Sequence, residues 1–317
     1  MQHLKEHNHQ NGNDNEIDLQ DLLNILWSEK WVIVSVTALL SVLGVLYSLH
    51  IPNIYKSEAI LSPVNSSNTI SKSLQNYSGL AGLAGIGIPQ SANENNSARA
   101  LKKLESLSFF ENKILPNIFL PNLMALISWD IKNSQLNYDE NIYDTNTGKW
   151  VRKYSYPSKL VPSAQESFKI FKKDNLQIKE DKNTGFITLS IKHKSPFVAQ
   201  KWAELMVDEV NNYYRQKDKS ESEKAISYLN KQIASTKISE VKEAIAKLLE
   251  EETKKMTLIE ANQSYVFEYI DPPVVMESKF EPKRVLICIL FALFGSIISI
   301  IYALIKYYLF KVSEEVI

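Results

Sequence analysis

The residues able to do chemistry in this sequence are few and scattered. His3, His7 and His9 stand close together and would offer imidazoles to a metal. The tract from Met1 to Asn15 is nevertheless rich in Asn and His and poor in apolar residues, so it reads as a solvated tail. His193 is the one histidine between residues 52 and 284, and no cysteine lies in that stretch. The single cysteine, Cys288, sits in an apolar run, which excludes an intrachain disulfide and a cysteine-based metal site. Glu250-Glu251-Glu252 has the residue type for acid–base work, but on a helix it reads as a solvated face. No nucleophile–base pair and no metal spacing emerges. The expected protein is therefore not an enzyme, with no catalytic residue, cofactor or metal.

Two further segments invite chemistry. Gly79, Gly82, Gly85 and Gly87 are four of the nine glycines, set in an apolar stretch ending at Pro89. Their spacing fits neither G-x-G-x-x-G nor the P-loop, so the reading is an apolar loop, or a loosely wound helix, that packs closely on another backbone. Tyr138, Tyr143, Trp150, Tyr154 and Tyr156 lie in an irregular or hairpin segment, as sugar-stacking rings or as anchors of a polar loop.

What must position these residues is set by the distribution of charge. The chain has 317 residues with 36 basic and 36 acidic side chains, so no global positive field exists to collect nucleic acid. Trp31 to Ile51 and Val285 to Ile305 are each 21 residues without Asp, Glu, Lys or Arg. As helices they reach about 31 Å, the thickness of a hydrocarbon layer, and are expected to span a membrane. A cleaved signal peptide is the rival reading of the first. It is disfavoured by the acidic residues ahead of it, among them Asp14, Asp18 and Glu29. Lys and Arg are too evenly placed to fix orientation. Small residues line one face of each run: Thr37, Ser41, Gly44 and Ser48 on the first, Ala292, Ser296, Ser299 and Ala303 on the second. Such faces let helices approach closely in lipid, within one subunit or between neighbours. Leu19, Leu22, Leu23, Leu26 and Trp27 predict a short amphipathic helix before the first run.

Between the runs, Tyr55 to Leu61 alternates as a strand, Ala98 to Leu115 has a helical pattern stopped by Pro116, and Leu176 to Ile191 reads as a hairpin turning at Asn183 and Gly185. Ser195-Pro196 has the form of a helix start, with Ser as N-cap. From Phe197 to Asp271 there is neither Pro nor Gly. A continuous helix over 196–261 would reach about 100 Å, too long to rest on a small base alone. Trp202, Leu205, Ile226, Leu229, Ile233, Val241, Ile245 and Leu248 form its narrow stripes, assigned to contact with neighbouring copies. The five-residue step from Ile233 to Ile238 marks where the helix breaks or changes partner. Tyr265 to Ile270 returns as a strand.

The expected architecture is an α+β membrane protein. Residues 1–30 form a tail, 31–51 the first span, 52–284 a central domain, 285–305 the second span and 306–317 a second tail. Within the centre, 52–195 and 262–284 form an α/β base, and 196–261 an extended helical, hairpin-like arm.

This layout resembles the Wzz-type polysaccharide co-polymerases, the chain-length determinants of bacterial surface polysaccharide. The resemblance is carried by Glu16-Ile-Asp-Leu19 with Trp27 and Lys30-Trp31, the Gly79–Gly87 loop, Thr184-Gly185-Phe186-Ile187 through Ser195-Pro196 with Trp202, and the approach to the second span, Pro272, Pro282, Lys283 and Arg284. Met276 and Lys279 stand where the family usually has further prolines. The resemblance implies two spans in the bacterial inner membrane, cytoplasmic termini, a periplasmic base with a long helix, and a ring-like homo-oligomer. It further implies action on an O-antigen polymerase, on lipid-linked polysaccharide, or on both, that biases lipopolysaccharide chain length. A capsule or exopolysaccharide component with a separate tyrosine kinase is the alternative. A kinase within this chain is excluded by the lack of any G-x-x-x-x-G-K-[S/T]. A signalling receptor is disfavoured by the 30 and 12 residues outside the spans.

Overall fold

The computed structural model describes residues 26–64, 96–262 and 264–315. The glycine loop and the amphipathic stretch up to Asn24 lie outside them. The chain forms two compact units, Met1–Ile51 with Pro282–Ile317, and Pro52–Glu281. The architecture is mixed helix and sheet, with an apolar helix at each end and a long helix between.

The first unit holds α1 (Lys30–His50) and the last helix, Arg284–Glu315. Each contains a stretch long and apolar enough to cross a membrane, Lys30–His50 and Arg284–Tyr307. The second helix runs ten residues past the expected span end because no Pro or Gly follows Gly295 to stop it.

The second unit is built on a four-stranded antiparallel sheet ordered β6-β7-β1-β8, made of β1 (Tyr55–Pro63), β6 (Leu176–Glu180), β7 (Ile187–His193) and β8 (Phe267–Asp271). Tyr55, Ser57, Ala59 and Leu61 of β1 point inward at period two, and Ile187, Leu189 and Ile191 of β7 join them. The β6–β7 turn closes with the Gly185 N–H donating to the Asp181 carbonyl at 2.7 Å, and φ of +73° there suits glycine. Between β1 and β6 lie α2 (Asn96–Leu104), α3 (Leu107–Phe109), α4 (Leu120–Met124), the hairpin β2 (Leu126–Asp130) and β3 (Gln135–Tyr138), the short pair β4 (Tyr143–Asp144) and β5 (Lys149–Trp150), and α5 (Ala164–Ile170). The single helix expected over 98–115 is broken. Glu105 ends the first piece, and the Ser106 hydroxyl caps a new start by accepting from the Phe109 N–H at 3.3 Å.

The long breaker-free segment folds into two helices, α6 (Pro196–Ser235) and α7 (Ser239–Ala261), followed after β8 by α8 (Arg284–Glu315). The first turns of α6 lie on the sheet, where Ala199 and Ala203 let the backbone come close and Trp202, Met206, Val207 and Val210 fill the core. Phe110 and Phe171, with ring centroids 5.1 Å apart, close the core, and Phe171 lies 5.8 Å from Trp202. The continuous helix of about 100 Å is not formed. Thr236 and Ile238 are extended at ψ of 132° and 121°, at the slip between Ile233 and Ile238, and α7 turns back along α6. With 40 residues, α6 alone is about 60 Å long. Reversal lets the two apolar stripes bury one another, which a single straight helix cannot do.

Candidate functional site

In the first unit, α1 and α8 pack through the small residues. Gly44 and Ser48 are buried on one helix, Ser299 and Ala303 on the other, while Thr37, Ser41, Ala292 and Ser296 are half-buried. The fit is close at two points. A Cβ added to Gly44 would stand 2.7 Å from both Cβ and Cγ of Phe291, and one on Gly295 would stand 3.2 Å from the Leu40 Cβ and the Thr37 Cα. Gly295 is missing from the sequence-derived row because that row followed a spacing of four and three from Ala292. Gly295 is three residues on, beside Ser296, and equally on the face. The helix ends are tied as well. Arg284 Nε donates to the Ser48 carbonyl at 3.3 Å, and Lys306 pairs with Glu29 at 2.6 Å. Pro282 is buried, Lys283 exposed, and Pro272 exposed.

Gly44→Leu is expected to force the two helices apart, because Phe291 presents its Cβ there rather than a flexible tip. Overpacking of this kind costs about 1–3 kcal/mol. Thermal unfolding in detergent micelles should show that loss, while Leu43→Ala, on the outward side, leaves the midpoint unchanged; equal midpoints for Gly44→Leu and the parent would refute close packing.

In the second unit four of the stripe residues pack within the chain itself. Trp202 is 3% exposed and sits in the core with its ring 4.8 Å from His193, and Leu205 packs against the same core. Leu229 and Ile245 are buried in the α6–α7 seam of the same chain. These four were assigned to neighbouring copies; an apolar stripe demands a partner without naming it, and the core of the base supplies one for Trp202 and Leu205 and α7 one for Leu229 and Ile245. Ile233, Val241 and Leu248 are half-buried. Ile226 lines a shallow groove of about 650 Å³ on α6 with Glu223, Ser227, Asn230, Lys231 and Ala234.

The base of the hairpin is fastened by Lys219 to Glu260 at 2.5 Å, by Arg215 Nη2 donating to the Asn262 carbonyl at 2.9 Å, and by the Tyr265 hydroxyl donating to Asp218 at 2.5 Å. Burial and the Asp218 carboxylate push the Tyr265 phenol well above its ordinary value. The Glu250–Glu252 run is a surface ladder, with Glu250 2.6 Å from Lys254, whose ammonium holds the carboxyl below the usual range. It reads as helix support rather than acid–base chemistry.

Two buried polar groups, neither given a role by sequence, fix the base. Asn211 on α6 accepts from the N–H groups of Val266 and Phe267 through Oδ1, both at 2.9 Å, and donates from Nδ2 to the Phe267 carbonyl at 2.9 Å. His193 accepts at Nδ1 from the Ser195 N–H at 3.0 Å, so Nε2 carries the proton and donates to the Asn122 carbonyl at 3.0 Å. Burial, the leading cause, lowers its pKa to about 4 against the opposing pull of the Asn122 carbonyl. Ser195 was expected to cap α6 with its hydroxyl. Its side chain makes no cap bond, and Pro196 alone supplies the start. The rings of Phe119, Tyr138, Tyr143 and Trp150 form an edge-to-face cluster with centroids 5.3–6.3 Å apart, and the Tyr138 hydroxyl donates to Asn122 Oδ1 at 2.7 Å. Among the described residues no group of three or more His, Cys, Asp or Glu is placed to hold a metal.

Residues 15–106 match the family model described as Wzz, chain length determinant protein. Over this stretch the chain is similar to the Wzz family. Among solved structures, a full-length bacterial polysaccharide co-polymerase aligns at 15% identity over 93% of this chain and 99% of its own, with a TM-score of 0.41. A fragment of WzzB, the polysaccharide co-polymerase from Salmonella Typhimurium, aligns at 12% identity over 72% of this chain and 100% of its own, with a TM-score of 0.30. No curated protein matches the chain. The Wzz stretch contains α1 and β1, the apolar helix and the strand that opens the sheet.

Proposed function

We infer that the protein is a non-catalytic polysaccharide co-polymerase that sets the chain length of a surface polysaccharide made by a membrane polymerase. The observation that carries this reading is the Wzz match over residues 15–106, on a chain whose two apolar helices bracket a unit made of a sheet and a helical hairpin. In this reading residues 31–51 and 285–305 cross the bacterial inner membrane, both termini are cytoplasmic, and residues 52–284 form the periplasmic domain, with an arm at 196–261. The protein assembles with copies of itself and works on an O-antigen polymerase, on its lipid-linked product, or on both. The Ile226 groove on the outer side of α6 is the surface offered to a neighbouring copy, since the inner stripes are occupied by α7.

Deleting the gene and resolving the surface polysaccharide on a gel tests the reading. A narrow distribution of lengths should give way to one that decays from short chains upward. An unchanged distribution would sink it.

A further inference from the structure

The structure divides the five aromatic residues of the 138–156 segment. Tyr138, Tyr143 and Trp150 pack edge-to-face in the cluster with Phe119 and are anchors. Tyr154 and Tyr156 meet no other ring among the described residues and are 59% and 96% exposed. One exposed tyrosine needs no explanation, but two of them stand here in a loop that is held in a single shape.

Arg152 closes that loop. Its Nε donates to the Leu160 carbonyl at 3.0 Å and its Nη2 to the Lys159 carbonyl at 2.6 Å. The same guanidinium grips the Glu166 carboxylate of α5 with both Nη1 and Nη2, the second at 2.7 Å. Lys153 to Ser158 are thereby strung between clasped ends, and inside the loop the Ser158 N–H donates to the Ser155 carbonyl at 2.9 Å. Residues 153–161 are exposed without a break, between half-buried Arg152 and buried Pro162. Tyr154 and Tyr156 are two residues apart, so their Cα atoms are separated by at most about 7 Å. The two rings are thus carried on a short frame that is ordered before anything binds, which lowers the entropy cost of contact.

The charge of the segment is one-sided. From Thr145 to Gln165 there is no Asp or Glu, yet Lys149, Arg152, Lys153 and Lys159 lie within it, in a chain whose formal charge is zero. Arg152 is taken up by Glu166, whereas Lys149, Lys153 and Lys159 are exposed and form no ion pair among the described residues. Bare phenol rings bordered by ammonium groups and by the hydroxyls of Ser155 and Ser158 suit a sugar chain that bears acid groups. The rings stack on the C–H faces of the sugars, and the ammonium groups pair with carboxylate or phosphate. We propose that the clasped loop Lys153–Lys159 is a contact site for an anionic glycan, with Tyr154 and Tyr156 as stacking faces and Lys153 and Lys159 as partners of its acid groups. The choice of a glycan among anions rests on the co-polymerase reading. Lipid suits the loop less well, because between Lys153 and Ser158 the only aliphatic side chain is Pro157. A second copy suits it less well too, because its Glu250–Glu252 run is already paired with Lys254 and Lys255 on the same helix.

The test titrates the full chain, in micelles of an uncharged detergent, with three probes: an oligogalacturonate, a neutral dextran of the same length and a polyglutamate of the same charge. The oligogalacturonate should bind most tightly. Tyr154→Ala combined with Tyr156→Ala should weaken it about tenfold at an unchanged unfolding midpoint. Lys153→Gln combined with Lys159→Gln should weaken it and flatten its dependence on salt, while Lys182→Gln, at an exposed lysine of the β6–β7 turn, alters neither. Polyglutamate bound as tightly as the oligogalacturonate would show that charge alone is read, as in an acidic protein partner, and overturns the site. Tyrosine variants that bind like the parent, or a parent that binds no oligogalacturonate, overturn it as well. The gene deletion separates this site from the reading it rests on. A loop that fails these titrations, in cells whose polysaccharide lengths still depend on the gene, removes the site and leaves the co-polymerase. Lengths that ignore the deletion, with the oligogalacturonate still held through the tyrosines, keep the site and remove the co-polymerase reading.

Discussion

Asn211→Leu is expected to destabilise the base by about 4 kcal/mol, because it keeps the side-chain volume and removes the three hydrogen bonds that α6 makes to Val266 and Phe267. The wild-type amide satisfies two N–H groups and one carbonyl on Val266 and Phe267, all buried. Each buried backbone group left without a partner costs about 1–3 kcal/mol, and no water has room to replace the amide beside Phe267, which is 0% exposed. The loss is local in origin: β8 is an edge strand paired only with β1, and Asn211 is the α6 side chain that bonds the backbone where it begins. Thermal or denaturant unfolding of the full chain in detergent should show the drop. Hydrogen exchange should quicken first at the Val266 and Phe267 amides, ahead of the β1–β7 ladder. A variant within about 1 kcal/mol of wild type, with slow exchange at those two amides, would show that the bridge contributes nothing.

How much of this was legible in the sequence follows from the range of each interaction. The apolar helices could be read because a gap in charge over 21 residues is a property of the stretch itself. The small faces could be read for the same reason, since residues three and four apart on a helix must share a side. Gly295 was missed only because a row of small residues can be drawn through its neighbour equally well. The break in the long helix left a local mark, the slip between Ile233 and Ile238, reinforced by β-branched Thr236 and Ile238. What the slip could not convey was direction. Two stripes of matched width suit a second copy as well as a reversal, and only tertiary structure pairs Lys219 with Glu260. Asn211 and His193 leave no local mark at all. Their partners lie 55 and 71 residues away in the sequence, and a buried amide or imidazole looks like a solvated one until those partners are known.

His193 should make the base lose stability on mild acidification. In the unfolded chain its imidazole takes up a proton near pH 6.5, whereas in the fold it does so only at about 4. Above about pH 6.5 neither state is protonated and the full stability is present. As the pH falls from about 6.5 toward 4, the unfolded chain gains a proton that the folded chain refuses, so stability drops, by about 3 kcal/mol across the window. Below about pH 4 both states are protonated and this contribution changes no further. The refusal has a structural cause. Nδ1 is already used as an acceptor by the Ser195 N–H, so a proton there would break that bond and set a charge against Trp202 and Phe171 in the core. Lys194, itself half-buried and next in the chain, opposes a second positive charge. Glu58 and Glu166 also weaken the fold in acid, because Lys56 and Arg152 hold their carboxyls low, but that loss begins only below their ordinary range near 4.5. Burial holds the Asp208 carboxyl above its ordinary value, so it adds stability as the pH falls, and a net loss between about 6.5 and 4.5 reports on His193. His193→Phe keeps a ring beside Trp202 while leaving the Ser195 N–H and the Asn122 carbonyl unpaired. It should be less stable than wild type by about 2–3 kcal/mol at pH 7 and nearly insensitive to pH in that interval. The two unfolding curves should converge as the pH approaches 4.5, and parallel curves over the same range would rule out a neutral, buried imidazole at this position.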